Sequence, residues 1–354
     1  DVVYVKVNEM YASQPDLLEK KKEVLKEMED SASETSRLAR EVTKRILKEQ
    51  LKTCWRIGAR YDLLNFESQI LELKLWDEAF NLLKKSGIAT LASSGKLRGC
   101  WIVKVEGEEE GEEKVLMRSD GTVTYIAKDI PYAAWKLGIL PDRFKYTVYA
   151  EQPDGTILWS TSTQQGDEVH PTFGGADRAV TVIDVRQSRL QRIISHILTQ
   201  LAGEAMSGRY IHLGYEVVSL SGDTAAKLGI KAEDRRFLHM SGRRGIYINA
   251  DDVLDALYAR AYEETKLRNI GESEEWLRGT AEKVAIGAIR FDLLKQDLDK
   301  MITFDLEEAL NLEGDTGPYV QYAYARASRI LEKAGEESQI CLLYTSPSPR
   351  DRQK

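Results

Sequence analysis

Tyr125, Asp129 and Gln187 are side chains of the right types to hold a cationic, hydrogen-bonding ligand. A carboxylate such as Asp129 can accept a forked pair of hydrogen bonds from a guanidinium. A tyrosine four residues earlier can add a flat face or a hydroxyl. On spacing alone a plainer role competes: Tyr125 would end a strand and pack in the core, and Asp129 would cap a helix that Pro131 opens. Gln187 falls just past the carboxyl end of the apolar run 179–185, where open α/β sheets bind ligands. It reads equally as a surface or capping glutamine.

Other groups suit phosphates and bases. His239-Met240-Ser241-Gly242-Arg243-Arg244-Gly245 is basic and Gly-rich, fit for anion contacts through backbone N–H groups and guanidinium ends. A simple turn explains it as well. Tyr319, Gln321 and Tyr322 interleave with Arg326 on a predicted helix, where bases could stack on rings and phosphates meet arginine. The plainer alternative buries some of these tyrosines in a core. Arg37, Arg40, Lys44, Arg45, Lys48, Lys52, Arg56 and Arg60 read first as a solvated helix face and second as an RNA-facing one. His212-Leu213-Gly214-Tyr215 is half of an H-x-G-H signature; it ends in Tyr and reads as a strand entry with a structural His212.

The elements that would position these residues follow from periodicity. A strand is expected over 2–7, then mostly helix over 16–85, with Leu38, Val42 and Ile46 at helical spacing. Residues 101–105 and 114–118 form a hairpin with an acidic tip, and Asp120-Gly121 turns the chain into a further strand over 123–125. A helix is expected over 129–137, with Pro131 in its first turn and Gly138 after its end. The run 179–185 predicts a buried parallel strand, followed by a helix over 188–201 and a strand over 215–220. Strand, helix, strand in that order argues for an α/β sheet. Helices are expected over 251–268, capped by Asp251, then over 275–300 and 318–333.

Composition bounds the partners. Charged residues at 30% and hydrophobic ones at 42% suit a soluble globular chain, and no run of about 18 apolar residues predicts a membrane span. A net charge of −7 means that RNA would have to be held by local basic surfaces. Cys54, Cys100 and Cys341 lie far apart with no C-x-x-C pair, which argues against a disulfide scaffold or zinc site and fits a reducing cytoplasm. The chain opens at Asp1 with neither initiator Met nor signal peptide, as if cut from a longer one. Residues 341–351 resemble one reading frame of a transposase-type sequencing adapter, so 341–354 should have no packed fold.

Taken together, these pieces resemble arginyl-tRNA synthetase. The resemblance rests on 118–130 (Arg-Ser-Asp-Gly-Thr-Val-Thr-Tyr-Ile-Ala-Lys-Asp-Ile), on Phe304-Asp305-Leu306 through Arg326, and on 61–68 (Tyr-Asp-Leu-Leu-Asn-Phe-Glu-Ser). It covers roughly residues 2–335. It implies an α/β fold: a class I synthetase Rossmann-type parallel sheet with a largely helical insertion and the start of an all-α anticodon-binding domain. The insertion would be 1–100, the second part of the catalytic domain 101–280, and the truncated anticodon-binding domain 281–340. The resemblance implies L-arginine binding by Tyr125, Asp129 and Gln187. It also implies a degenerate K-M-S-K-S loop, Met240 to Gly245, against the ATP phosphates, with His239 where the first Lys is usual and Arg243 or Arg244 as substitutes. Tyr319, Gln321, Tyr322 and Arg326 become candidates for tRNA contact. The implied partners are ATP (with Mg2+), L-arginine and tRNA-Arg, in a cytoplasmic, monomeric parent without membrane contact. No protein-bound metal site is expected. The H-x-G-H signature, expected upstream of residue 1, does not occur in the chain, so the chain alone is expected to be inactive. The competing readings are a non-catalytic RNA-binding or regulatory paralogue and a generic α/β nucleotide-binding protein.

Overall fold

Long stretches of good helix formers open the chain. In the computed structural model, which describes residues 2–14, 16–30, 32–104, 113–227, 249–311 and 313–334, they give α1 (Val2–Ser13), α2 (Asp16–Glu29) and α3 (Glu34–Arg56). The strand expected over 2–7 is therefore a helix, which satisfies its backbone within the segment, where a strand needs a neighbour. Ser33 caps α3 by accepting from the Ser36 N–H at 3.0 Å. Leu38, Val42 and Ile46 do lie on this helix, but they are exposed.

The chain then runs through β1 (Leu63–Leu64), α4 (Glu67–Glu72), α5 (Leu75–Lys85), β2 (Ala89–Leu91), β3 (Trp101–Val103), β4 (Lys114–Met117) and α6 (Tyr125–Lys136). Next come β5 (Lys145–Glu151), β6 (Ile157–Ser162), β7 (Ala179–Asp184), α7 (Ser188–Ala202) and β8 (Tyr210–Tyr215). All belong to one compact unit, Asp1–Val217 with Leu298–Met301. The expected hairpin is β3 and β4, antiparallel, with β2 on its other edge; the tip, 105–112, lies outside the described residues. Gly121 makes the Asp-Gly turn at φ 83°, a conformation that favours glycine. The returning arm is a single bridge, Met117 to Val123, and not the expected strand over 123–125.

β1 pairs parallel with β6, which pairs antiparallel with β5. β7 and β8 pair parallel, in register from Ala179–Tyr210 to Asp184–Tyr215, joined by α7 as the strand–helix–strand order requires. The expectation that β7 is buried on both faces fails: Val180 and Val182 are 53% and 63% exposed. Among the described residues only one face of this ribbon is covered, so the apolar run alternates in burial.

Helix α6 starts four residues earlier than its proline suggests. Pro131 is its seventh residue, so the Ala127 carbonyl goes without the N–H it would otherwise receive. Burial compensates for the loss. Ile126, Ala127, Ile130, Ala133, Ala134 and Leu137 form a helical stripe packed with Leu83, Val103, Leu116, Ile193, Ile194 and Ile197. Trp135 joins a neighbouring cluster with Ile70, Leu75, Phe144 and Tyr146.

A second unit, Val218–Asp297 with Ile302–Lys354, holds β9 (Val218–Leu220), α8 (Gly222–Lys227), α9 (Ala250–Arg268), α10 (Glu274–Leu294), β10 (Ile302–Phe304), α11 (Leu306–Ala309) and α12 (Gly317–Ala334). The strand expected over 215–220 is thus divided between the end of β8 and β9, and the helix expected to reach 300 stops at Leu294. Asn249, not Asp251, holds the cap position of α9. No helix among the described residues is long and apolar enough to cross a membrane.

Helices α10 and α12 meet through glycines. A Cβ at Gly317 would sit 2.5 Å from the Gly287 carbonyl oxygen, closer than a side chain tolerates. Gly317→Ala should therefore lower stability by about 1–3 kcal/mol through overpacking. Urea denaturation checks this; an unchanged midpoint would show that the helices part at no cost.

Candidate ligand-binding cleft

The side of α6 away from its buried stripe carries Tyr125, Asp129, Tyr132 and Lys136, at steps of four, three and four residues. Such spacing stacks side chains along one face. The helix start is anchored to β4: the Thr124 hydroxyl donates to the Val115 and Leu116 carbonyls at 2.7 and 3.1 Å. Thr124 makes no side-chain cap bond. Asp129 lies in the second turn, past the N–H groups that a cap would serve, so the capping role is excluded. Tyr125 is 81% exposed and is not a core residue.

Of these, Tyr125 and Asp129 border an open cleft of about 960 Å³. Tyr125, Lys128 and Asp129 reach it from α6, Glu67 from the first turn of α4, and Gln187 from the start of α7. Gln187 makes no side-chain cap bond, which removes its plainer reading as a cap. The cleft thus brings Tyr125, Asp129 and Gln187 together from two segments of chain.

Asp129 is open to the cleft yet walled by protein on its other sides. That desolvation, more than any neighbouring charge, pushes its pKa up to about 6. Glu67 pushes it further up, while Lys136 and Lys128 pull it down. Among the described residues none donates a hydrogen bond to this carboxylate. Burial lowers the pKa of Lys136, against the pull of Asp129. Tyr132 is held by donating to Asn65 Oδ1 at 2.8 Å, and burial pushes its hydroxyl up to about 12. Lys136 Nζ sits 4.2 Å from the Tyr132 ring centre. Lys128 pairs with Glu67 at 2.8 Å. Beneath, Tyr210 donates to Gln191 Oε1 at 2.7 Å and accepts from the Thr181 hydroxyl at 3.1 Å.

Sequence reasoning assigned no role to Glu67 or Lys128. The signal for Glu67 was the one used for Gln187: it follows the carboxyl end of a parallel strand, here β1. That strand is two residues long and hard to see by periodicity.

The remaining candidates lie elsewhere. The loop Met240, Ser241, Gly242, Arg243, Arg244, Gly245, with His239, lies outside the described residues, as does the tail 341–354. Tyr319, Tyr322 and Arg326 are exposed on α12, and Tyr324 with them, so the expected burial of some of these tyrosines fails. Gln321 differs: its amide donates to the Lys283 carbonyl at 3.1 Å, against α10. The basic stretch is partly paired along its own helix, Arg45 with Glu41 at 2.9 Å and Lys52 with Glu49 at 2.8 Å. His212 Nε2 lies 2.9 Å from the Ile183 carbonyl, a structural contact between β8 and β7.

No family model matches the chain. Curated relatives do. The arginine--tRNA ligase of Thermococcus kodakarensis is 34% identical over 340 residues, covering 95% of this chain and 50% of the relative. That of Thermus thermophilus is 39% identical over 316 residues, covering 88% of this chain and 49% of the relative. The solved structure of Thermus thermophilus arginyl-tRNA synthetase superposes with a TM-score of 0.72 at 36% identity, over 88% of this chain and 49% of that one. The chain spans about half the length of the relatives it matches. Its mixture of short parallel ladders and helices is that of a class I synthetase, and along the length it spans the chain belongs to the arginyl-tRNA synthetase family.

Proposed function

We propose that this chain supplies the arginine-recognition part of an arginine--tRNA ligase. The parent activates L-arginine with ATP to arginyl-adenylate and transfers it to the 3′ end of tRNA-Arg. The observation that carries the reading is Asp129: mid-helix, free of a capping duty, and facing a cleft that Tyr125 and Gln187 also line. A planar guanidinium can satisfy both carboxylate oxygens at once, which the ammonium of lysine cannot do in the same geometry. A mismatched ligand leaves polar groups unpaired, at about 1–3 kcal/mol each. Tyr125 then covers the guanidinium or bonds to it, and Gln187 contacts the polar end of the substrate.

ATP would meet the loop Met240 to Gly245, and Mg2+ would arrive with the nucleotide. Tyr319, Tyr322 and Arg326 offer exposed rings and charge for tRNA. The chain alone, lacking H-x-G-H, should give no arginylation in a tRNA-charging assay, and robust charging would refute that.

Calorimetric titration of L-arginine and L-lysine into a protein of the relatives' full length tests the reading. Arginine should bind at least about tenfold more tightly than lysine, the equivalent of one unpaired polar group. The Asp129 charge adds a pH dependence. The ionised carboxylate is the binding form and its pKa is raised to about 6, so arginine affinity should fall towards tenfold per pH unit below that value and level off above it. A flat profile from pH 5 to 7 would remove Asp129 from the site.

A further inference from the structure

Among the carboxylates that line the cleft, Glu67 and Asp129 interact with each other, and of these two only Glu67 is ion-paired. Glu67 is paired with Lys128 at 2.8 Å, while Asp129, the next residue on α6, has no such partner among the described residues. The lysine side chain is 19% exposed and that of Glu67 56%, so the lysine end of the pair is the more enclosed. Two uncompensated carboxylates at one site would resist joint ionisation, and one would keep its proton. With Lys128 in place, Asp129 is the unpaired member of these two carboxylates, and its single negative charge matches a monocation.

Resting on the arginine reading above, we propose that Lys128 is a positioning residue of that pocket: by holding Glu67 in an ion pair, it leaves its neighbour Asp129 as the carboxylate of the two that is free to meet the guanidinium. Lys128 itself touches no substrate. The charged and titratable groups acting on Asp129 are Lys128 and Lys136 of α6, Glu67 of α4 and Tyr210 of β8. Glu113, Lys114, Arg118 and Asp120 line the same cleft. From α7 the cleft receives Gln187 and Leu190, neither of which titrates.

Carbon-detected NMR titration of the Asp129 carboxyl in the 354-residue chain tests this without any ligand. Lys128→Met should raise the Asp129 midpoint by on the order of one pH unit, because Glu67 is then unmasked and the direct pull of the lysine is lost. Lys128→Arg should restore it. Glu67→Gln should lower it, and the double variant Glu67→Gln with Lys128→Met should return close to the unmodified chain. A purely structural role for Lys128 moves no midpoint in this coupled way. An unchanged midpoint in Lys128→Met, or a double variant as shifted as the single one, overturns the proposal. Should Lys128→Met fail to fold, Glu67→Gln decides alone: no fall in the midpoint overturns it. A final arm adds L-arginine to a protein of the relatives' full length. If arginine perturbs Asp129 but the midpoints do not couple, the inference fails and the arginine reading stands. If the midpoints couple but arginine leaves Asp129 untouched, the arginine reading fails and Lys128 loses its pocket.

Discussion

Asp129→Asn is expected to weaken L-arginine binding by at least about 30-fold while leaving the fold no less stable at pH 7. The binding loss follows from replacing a carboxylate that faces a guanidinium with an amide whose NH2 group meets N–H donors. Truncating one partner of a desolvated charge pair costs about 2–5 kcal/mol or more, roughly 30-fold to several thousand-fold. The stability effect has the opposite sign. The folded pKa of Asp129 is raised from 3.8 to about 6, so between those values the folded state holds more protons than the unfolded one. Stability contributed by this group therefore falls as pH rises through that window, and at neutral pH the ionised carboxylate is a net cost. Asparagine removes that cost. The Tm of Asp129→Asn should equal or exceed that of the unmodified chain at pH 7, with the gap closing towards pH 4. A variant that loses binding together with stability would instead mark Asp129 as a structural residue.

Trp135→Ala should be the most destabilising single change near the site, at about 3–5 kcal/mol. The indole is 3% exposed, stacks on Tyr132 with centroids 5.5 Å apart, and meets Phe144 edge-on at 5.1 Å. Its N–H donates to Asp142 at 3.1 Å. A Cβ at Gly174 would come within 2.8 Å of the ring, so the surrounding backbone is moulded to it. Asp142 keeps two other donors, the Tyr146 hydroxyl and the Phe144 N–H, so the loss is chiefly a cavity. Chemical denaturation measures it; a change under about 1 kcal/mol would mean that the site collapses freely, which native packing seldom allows.

How far such features could be read from the residues depended on whether the signal was local. The Asp-Gly turn, the β3–β4 hairpin, and β7 with the helix α7 after it carry their cues within nearby positions, and each is present, whereas the partner strand expected over 215–220 is β8, which ends at Tyr215. Pro131 suggests a first turn, yet helix α6 starts six residues before it. The buried pair Ile126 and Ala127, a turn before Ile130, shows that the apolar face starts earlier, and packing offsets the missing N–H. That shift changes the chemistry assigned to the site, since it turns Asp129 from a cap into a side chain facing the cleft. The valines of β7 gave a parallel strand correctly, but which face finds cover depends on distant segments. Gln321 was grouped with its exposed neighbours because helical spacing cannot show that Gly287 leaves room for it on α10. Glu67 and Lys128 are 61 positions apart, and only the fold brings them together. The three arginine-pocket candidates were ambiguous as residues, and the family resemblance gave them their roles.

A crystal structure of a protein of the relatives' full length with L-arginine bound decides whether Asp129 grips a guanidinium. Two guanidinium nitrogens are expected within about 3 Å of the two Asp129 carboxylate oxygens, beside Tyr125. Arginine bound with its guanidinium elsewhere, and Asp129 facing only solvent, would contradict that grip.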